Sequence, residues 1–200
     1  MTDVNKLVIA SNNRGKIAEL EALLAPLNLA PVAQGELGVG EADEPAVTFV
    51  ENAILKARHA ARETGLPALA DDSGLAVDAL GGKPGVRSAR FAGDNASDQD
   101  NIDALLAALK GLPMEKRGAQ FHCVLVYLRH ANDPTPIICH GRWPGQILEQ
   151  PRGDGGFGYD PVFLAPETDT SAAELSRTEK AKISHRGRAL AILVDQLEAR

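Results

Sequence analysis

Aromatic side chains are scarce in this chain, at 4% of residues, so the core has to be built mostly from aliphatic groups. Cysteine is scarcer still. Cys123 and Cys139 each lie in a strand-like apolar run and read as buried free thiols, ahead of a structural disulfide or a metal site. No apolar stretch approaches the roughly 20 residues of a membrane-spanning helix. Met1-Thr2-Asp3-Val4-Asn5-Lys6 lacks the basic region and apolar core of a secretory signal, so a cytoplasmic location is expected. Positive charge is short as well. The net charge of -6 argues against general affinity for nucleic-acid polymers, which need a basic surface, but allows a small anion in a locally positive cleft. Internal repeats, low-complexity tracts and linkers are also missing, and one domain over residues 1–200 is expected.

What is present is a series of well-marked elements. Lys6-Leu7-Val8-Ile9-Ala10 is a short apolar run that stops at Ser11, and Ile17, Leu20, Leu23 and Leu24 then share a helical face. Thr48-Phe49-Val50-Glu51 has capping-box form, with Thr48 as N-cap and Glu51 reaching back. It opens a helix whose narrow stripe of Val50, Ala53, Ile54, Ala57 and Ala61 suits close packing. Ser97 caps a third helix bearing Ile102, Leu105, Leu106 and Leu109, and Leu190, Leu193, Val194 and Leu197 line a last one. Residues 74–93 are too irregular for a helix. The runs 121–128 and 137–143 flank a polar, proline-bearing link and predict an antiparallel hairpin, with a short strand around Val162-Phe163-Leu164. Helix-joined strands together with a hairpin predict an α/β fold with a mixed sheet.

Several segments carry chemistry. Leu66-Pro67-Ala68-Leu69-Ala70 predicts a short strand, and Asp71-Asp72-Ser73-Gly74 at its end reads either as a turn or as oxygen ligands for a divalent cation. Ser11-Asn12-Asn13-Arg14-Gly15-Lys16, between a strand and a helix, offers backbone N–H groups and a lysine to a phosphate, or is an ordinary helix start capped by Asn13. Lys56 sits near the small-residue stripe, and Glu41, Asp43 and Glu44 make an acidic cluster in a predicted loop. The run 153–160 holds four glycines beside Phe157 and Tyr159, an aromatic face for a base, with Asp160 as an acceptor. The run 180–188 concentrates cations at a helix start, where the dipole disfavours them unless an anion is near. Together these are the parts of a nucleoside triphosphate site.

Taken in order, Ser11–Lys16, Thr48-Phe49-Val50-Glu51-Asn52-Ala53 with Lys56-Ala57, Ala70–Leu75, Gly156–Pro161 and Ser184-His185-Arg186-Gly187 resemble the signatures of the inosine/xanthosine triphosphate pyrophosphatases. The likeness runs from about Lys6 to the final helix. It implies Mg2+-dependent hydrolysis of ITP, dITP, XTP and dXTP to the monophosphate and pyrophosphate. It also implies a strongly twisted, long mixed sheet with flanking helices, two lobes around an active-site cleft, and a homodimer. Residue by residue, Ser11, Asn12, Asn13, Arg14, Gly15 and Lys16 resemble a phosphate-binding loop, and Lys56 a further phosphate contact. Asp72 matches the catalytic, metal-associated acid and Ser73 a substrate contact. Phe157, Gly158, Tyr159 and Asp160 match the base-binding loop, and Lys180, His185 and Arg186 contact the nucleotide, the last two at the base. The family often has Thr-Gly-Asn where this chain has Ser11-Asn12-Asn13; serine keeps the hydroxyl. Glu44 is the choice for the second metal ligand beside Asp72, with Asp43 and Glu41 open.

The expected reaction is in-line attack of water on the α-phosphorus with Asp72 taking the proton, while Lys16 and Lys56 offset phosphate charge. Selectivity is expected at the 6-position, where hypoxanthine and xanthine carry an acceptor and adenine a donor. Two other functions fit parts of the pattern. One is a module that senses a purine triphosphate without cleaving it. The other is a Maf-like pyrophosphatase for modified pyrimidine triphosphates, against which the Phe157–Asp160 and Ser184–Arg186 segments argue.

Overall fold

The computed structural model describes residues 5–27 and 29–199, so Met1 to Val4 of the signal-sequence reading lie outside the described residues. The elements run β1 (Asn5–Ile9), α1 (Arg14–Leu24), β2 (Leu29–Ala33), α2 (Phe49–Thr64), β3 (Ala68–Val77) and α3 (Asp98–Ala108). They continue with β4 (Gly118–Leu128), β5 (Ile137–Ile147), β6 (Phe163–Ala165), β7 (Thr170–Ser171), α4 (Arg177–Ile183) and α5 (His185–Glu198). The seven strands form one sheet in the order β2-β1-β3-β4-β5-β6-β7. It is mixed: β1 runs parallel to β2 and β3, whereas β6 is antiparallel to β5 and β7.

The chain divides into two compact units. The first takes the chain up to Asp72, Cys123–Gly141 and everything from Arg186 onward. Its strands alternate between two apolar layers, because successive side chains of a strand point to opposite faces. Leu7, Ile9, Leu69, Cys123 and Leu125 pack with Leu20 and Leu24 of α1 and with Ala189, Leu190 and Leu193 of α5. Val8, Ala68, Ala70, Val124 and Val126 pack with Ala53, Ala57, Ala60 and Ala61 of α2, where the small side chains let the helix lie close to the sheet.

The second unit, Ser73–His122 with Arg142–His185, has a core of Leu75, Val77, Ile102, Leu105, Phe121, Trp143, Tyr159 and Phe163. The few aromatics are concentrated here. Phe121 lies 4.5 Å from Phe163, and Phe163 5.0 Å from Trp143, centroid to centroid. The expectation of a mostly aliphatic core holds for both units, with an aromatic cluster set into the second.

Three local expectations change. Asp71-Asp72-Ser73-Gly74 is not a turn at a strand end, since β3 continues through it to Val77. Buried partners for both carboxylates, in a strand that has β4 as its other neighbour, outweigh the local turn preference of these residues. At α2, Thr48 accepts from the Glu51 N–H as an N-cap, but the Glu51 carboxylate accepts from the Thr48 hydroxyl. The basic run 180–188 is split, with Lys180 inside α4, capped by a Ser176/Glu179 box, and His185 and Arg186 opening α5.

Candidate active site

The alternation of β3 gives its two aspartates different surroundings. Asp71 follows Leu69 toward α1 and α5. Its Oδ1 lies 2.9 Å from Lys16 Nζ and its Oδ2 2.7 Å from Arg186 Nε, and Oδ2 also accepts from the Cys123 thiol at 3.2 Å. Burial pushes the Asp71 carboxyl up, but Arg186 and Lys16 outweigh it and hold the group well below the ordinary carboxylate range. Arg186 is likewise buried and also pairs with Glu19 of α1. Burial works against its charge, yet Asp71, Cys123 and Glu19 raise it above the usual arginine value.

Asp72 follows Ala70 toward α2. Its Oδ1 accepts from Lys56 Nζ at 2.8 Å, while its buried Oδ2 has no hydrogen-bond partner. The same ammonium donates to the Asp71 carbonyl at 2.9 Å and stands 3.5 Å from Glu44 Oε1. Burial raises the Asp72 carboxyl; Lys56 pulls it back and Glu44 adds to the rise. Burial opposes the Lys56 charge, but Asp72 and Glu44 raise its affinity for the proton.

Of the three acids left open for a second ligand, Glu44 is the one that shares Lys56 with Asp72, whereas Glu41 accepts from Asn12 at 3.4 Å. The segment that carries them is fastened to α2. Buried Asn52 accepts from the Ala46 N–H at 3.0 Å and donates to the Ala46 carbonyl at 3.3 Å, and His59 Nε2 donates to the Gly40 carbonyl at 3.1 Å.

At the start of α1, Ser11 Oγ accepts from the Asn13 N–H at 3.1 Å and Asn13 Oδ1 accepts from the Lys16 N–H at 3.0 Å. Asn13 is thus the N-cap, and Asn12, Asn13 and Arg14 are exposed. Gly15 lies in the first turn of α1.

The second unit holds a different group. Asp160 Oδ2 accepts from Lys180 Nζ at 2.6 Å and from the Phe157 N–H at 3.0 Å. The Lys180 ammonium stands 4.9 Å from the centroid of the half-buried Phe157 ring, a cation–π distance. Gly156 has φ 73°, and a Cβ there would fall 2.0 Å from Asp160 Oδ2. Only glycine allows both the left-handed turn and the carboxylate so close. The Gly158 N–H donates to Asp98 at 2.7 Å. Tyr159 is a core residue, its hydroxyl donating to the Ser88 carbonyl at 2.8 Å. The His185 ring stacks on Phe121 at 4.7 Å and 13° between planes. Ser73, the first residue of this unit, continues β3 directly after Asp72.

Several groups that contact the candidate site residues or fasten the segment carrying Glu44 escaped sequence reasoning. Glu19 lies one helical turn after Lys16, a spacing that was available as a signal. Asn52, a buried polar residue beside the apolar stripe of α2, was another. The role of Cys123 had no local signal, because it depends on β4 lying next to β3.

Residues 7–196 of the chain match the Ham1 family. The chain is 63% identical over 194 residues to the dITP/XTP pyrophosphatase of Yersinia pseudotuberculosis serotype I, covering 97% of this chain and 98% of that protein. Its fold is similar to the solved structure of a HAM1 protein from Coxiella burnetii, with a TM-score of 0.89 and 50% identity over 98% of this chain and 99% of the other. The Staphylococcus aureus Ham1 protein is also similar, with a TM-score of 0.85 and 40% identity over 97% and 98%. With the match spanning β1 to α5, the chain belongs to the Ham1 family.

Proposed function

We propose that this chain is a nucleoside triphosphate pyrophosphatase that hydrolyses dITP, ITP, XTP and dXTP to the monophosphate and pyrophosphate, removing these non-standard purines from the nucleotide pool. The observation that carries the reading is the Asp72 carboxylate, with one oxygen held by Lys56 and the other buried without a partner. Such an atom pays a desolvation penalty unless the reaction supplies its partner. Burial also raises Asp72, which makes it a better base than an exposed carboxylate.

In the step we infer, a water oxygen attacks the α-phosphorus in line, the bond from that phosphorus to the bridging oxygen breaks, and pyrophosphate departs. Asp72 takes the water proton. Lys16 and Lys56 balance charge on the phosphate chain, and Asp71 with Arg186 fixes the position of Lys16. The bare Oδ2 of Asp72 is a hard oxygen donor and fits a small divalent cation, so Asp72 and Glu44 are the residues that would hold Mg2+. When bound, the ion neutralises developing phosphate charge.

The Phe157 ring stacks on the base, and the Lys180 ammonium beside it favours an acceptor oxygen at the 6-position over the amine of adenine. An unmet group there costs roughly 1–3 kcal/mol. We read residues 1–200 as one catalytic domain, since each unit draws on interleaved stretches of chain. Among the described residues no helix is long and apolar enough to cross a membrane. The proposed setting is a cytoplasmic homodimer, which sedimentation of the purified protein tests.

The test of the activity is pyrophosphate release from dITP, XTP, dATP and a modified pyrimidine triphosphate with Mg2+. Asp72→Asn should lower turnover on dITP by about 10²–10⁴-fold. A wild type that binds dITP and releases no pyrophosphate would instead be a sensor. One that prefers the pyrimidine would have been assigned the wrong substrate.

A further inference from the structure

The ammonium of Lys56 occupies the place where an acid pair needs a cation. It donates to Asp72 Oδ1 at 2.8 Å and to the Asp71 carbonyl at 2.9 Å, and it stands 3.5 Å from Glu44 Oε1 as an ion pair. The Lys56 side chain is only 11% exposed and that of Asp72 only 7%, so water screens their interaction poorly. Asp72 Oδ2 is nevertheless left without a partner. The arrangement neutralises part of the acid pair and leaves one oxygen bare.

We propose that Lys56 is the resident cation of this acid site: its ammonium holds Asp72 and Glu44 in the metal-free protein and competes with a divalent ion for them, so the ion binds well only when a phosphate chain draws the ammonium away. The proposal rests on the reading that Asp72 and Glu44 are the metal-holding residues. The reasoning is electrostatic. A divalent ion taken up by Asp72 and Glu44 would stand close to the ammonium that now pairs with the same two carboxylates, and like charges at contact range in a poorly hydrated site repel strongly. Without Lys56, the two carboxylates would lose the cation they share, which favours the ion and destabilises the metal-free protein. The phosphate chain relieves the conflict, because it offers the ammonium new oxygens and the ion further ligands. Metal and nucleotide then favour each other's binding by the same factor, as linkage requires. Lys56 thereby acts as a positioning residue for the acids and a gate on premature metal binding.

The experiment measures Mn2+ binding to the full-length protein in the absence of nucleotide, by the electron paramagnetic resonance signal of free Mn2+. Lys56→Met and Lys56→Gln should bind Mn2+ alone about tenfold more tightly than wild type. Lys56→Arg, which keeps the charge, should stay near wild type. Asp72→Asn in the Lys56→Met background should abolish the gain. Both neutral variants should also gain more melting temperature from Mn2+ than wild type gains. A merely structural lysine predicts the opposite sign, since its loss would disorganise the acids and weaken the metal.

Folded Lys56→Met and Lys56→Gln that bind Mn2+ no more tightly than wild type would overturn the proposal, as would a gain that survives Asp72→Asn. If neither neutral variant folds, wild type decides: Mn2+ bound alone as tightly as with a non-hydrolysable dITP analogue present also overturns it. Failure here with pyrophosphate still released from dITP leaves the pyrophosphatase reading intact. A clear metal gain without pyrophosphate release does the reverse.

Discussion

Replacing Asp71 with asparagine tests how far the two aspartates of β3 have been separated in role. The native carboxylate is fully buried and binds two cations, Lys16 at 2.9 Å and Arg186 at 2.7 Å. Asparagine keeps the size but removes the charge, and its amide N–H would point at one of those cations. Breaking a buried pair by removing one partner costs about 3–5 kcal/mol, because the stranded charge stays buried. Arg186 keeps its contact with Glu19, so we expect the lower end, about 3 kcal/mol. At about 2–4 °C per kcal/mol for a chain of this size, the melting temperature should fall by about 6–12 °C.

Differential scanning calorimetry of both proteins from pH 7 downward supplies the assay. Asp71 is held below its unfolded value near 3.9 by Arg186 and Lys16, despite burial. The sign follows: its contribution is complete above about pH 4 and is lost as pH falls from there toward the depressed folded value. The gap between wild type and Asp71→Asn should be constant from about pH 5 to 7 and close only in stronger acid. A loss below about 1 kcal/mol, or a gap that closes as pH rises, would refute the reasoning. Turnover should also fall less in Asp71→Asn than in Asp72→Asn.

Two further outcomes follow from the second unit. Gly156→Ala forces a Cβ toward Asp160 Oδ2 at 2.0 Å and strains a φ of 73°, so Asp160 has to leave Lys180 and the Phe157 N–H. KM for dITP should rise at least about tenfold with a smaller change in kcat, measured by steady-state pyrophosphate release. Tyr159→Phe leaves the buried Ser88 carbonyl without its phenol donor and should lower unfolding free energy by about 1 kcal/mol in a urea titration.

Elements governed by local periodicity were legible in the sequence. The faces of α1, α2, α3 and α5 follow from their apolar spacing, and Ser97 and Asn13 cap where their side-chain chemistry suggests. What misled was local preference in places where distant partners decide. Asp-Asp-Ser-Gly reads as a turn only if the carboxylates stay in water. In the fold, Lys16, Lys56 and Arg186 come from three helices to meet them, and the strand continues. The cation run 180–188 reads as one cluster along the chain, but Lys180 serves Asp160 and Arg186 serves Asp71. The glycine loop was expected to present both its aromatics, whereas Tyr159 has an acceptor in the core and Phe157 stays half-buried under Lys180. Each of these outcomes depends on contacts tens of residues away, which no window along the sequence contains.

The division of labour at Asp71-Asp72 follows from the period of a β-strand. Adjacent residues face opposite sides, so two chemically identical groups meet different elements. One side brings Lys16, Arg186 and the Cys123 thiol, which occupy both oxygens of Asp71. The other brings a single lysine already shared with Glu44, which leaves an oxygen of Asp72 bare. Their proton affinities move apart accordingly, Asp71 well down and Asp72 up. Paired carboxylates pushed in opposite directions are the arrangement that separates a fixed charge from a working base. A slip of β3 by one residue would exchange the two environments and give the proposed catalytic position a carboxylate with no oxygen left for water or metal. The register is held because the same slip would also turn Leu69 out of the layer it shares with α1 and α5, and Ala68 and Ala70 out of the layer they share with α2. The packing that stabilises the first unit is therefore also what leaves the bare oxygen on Asp72, the residue proposed for the chemistry.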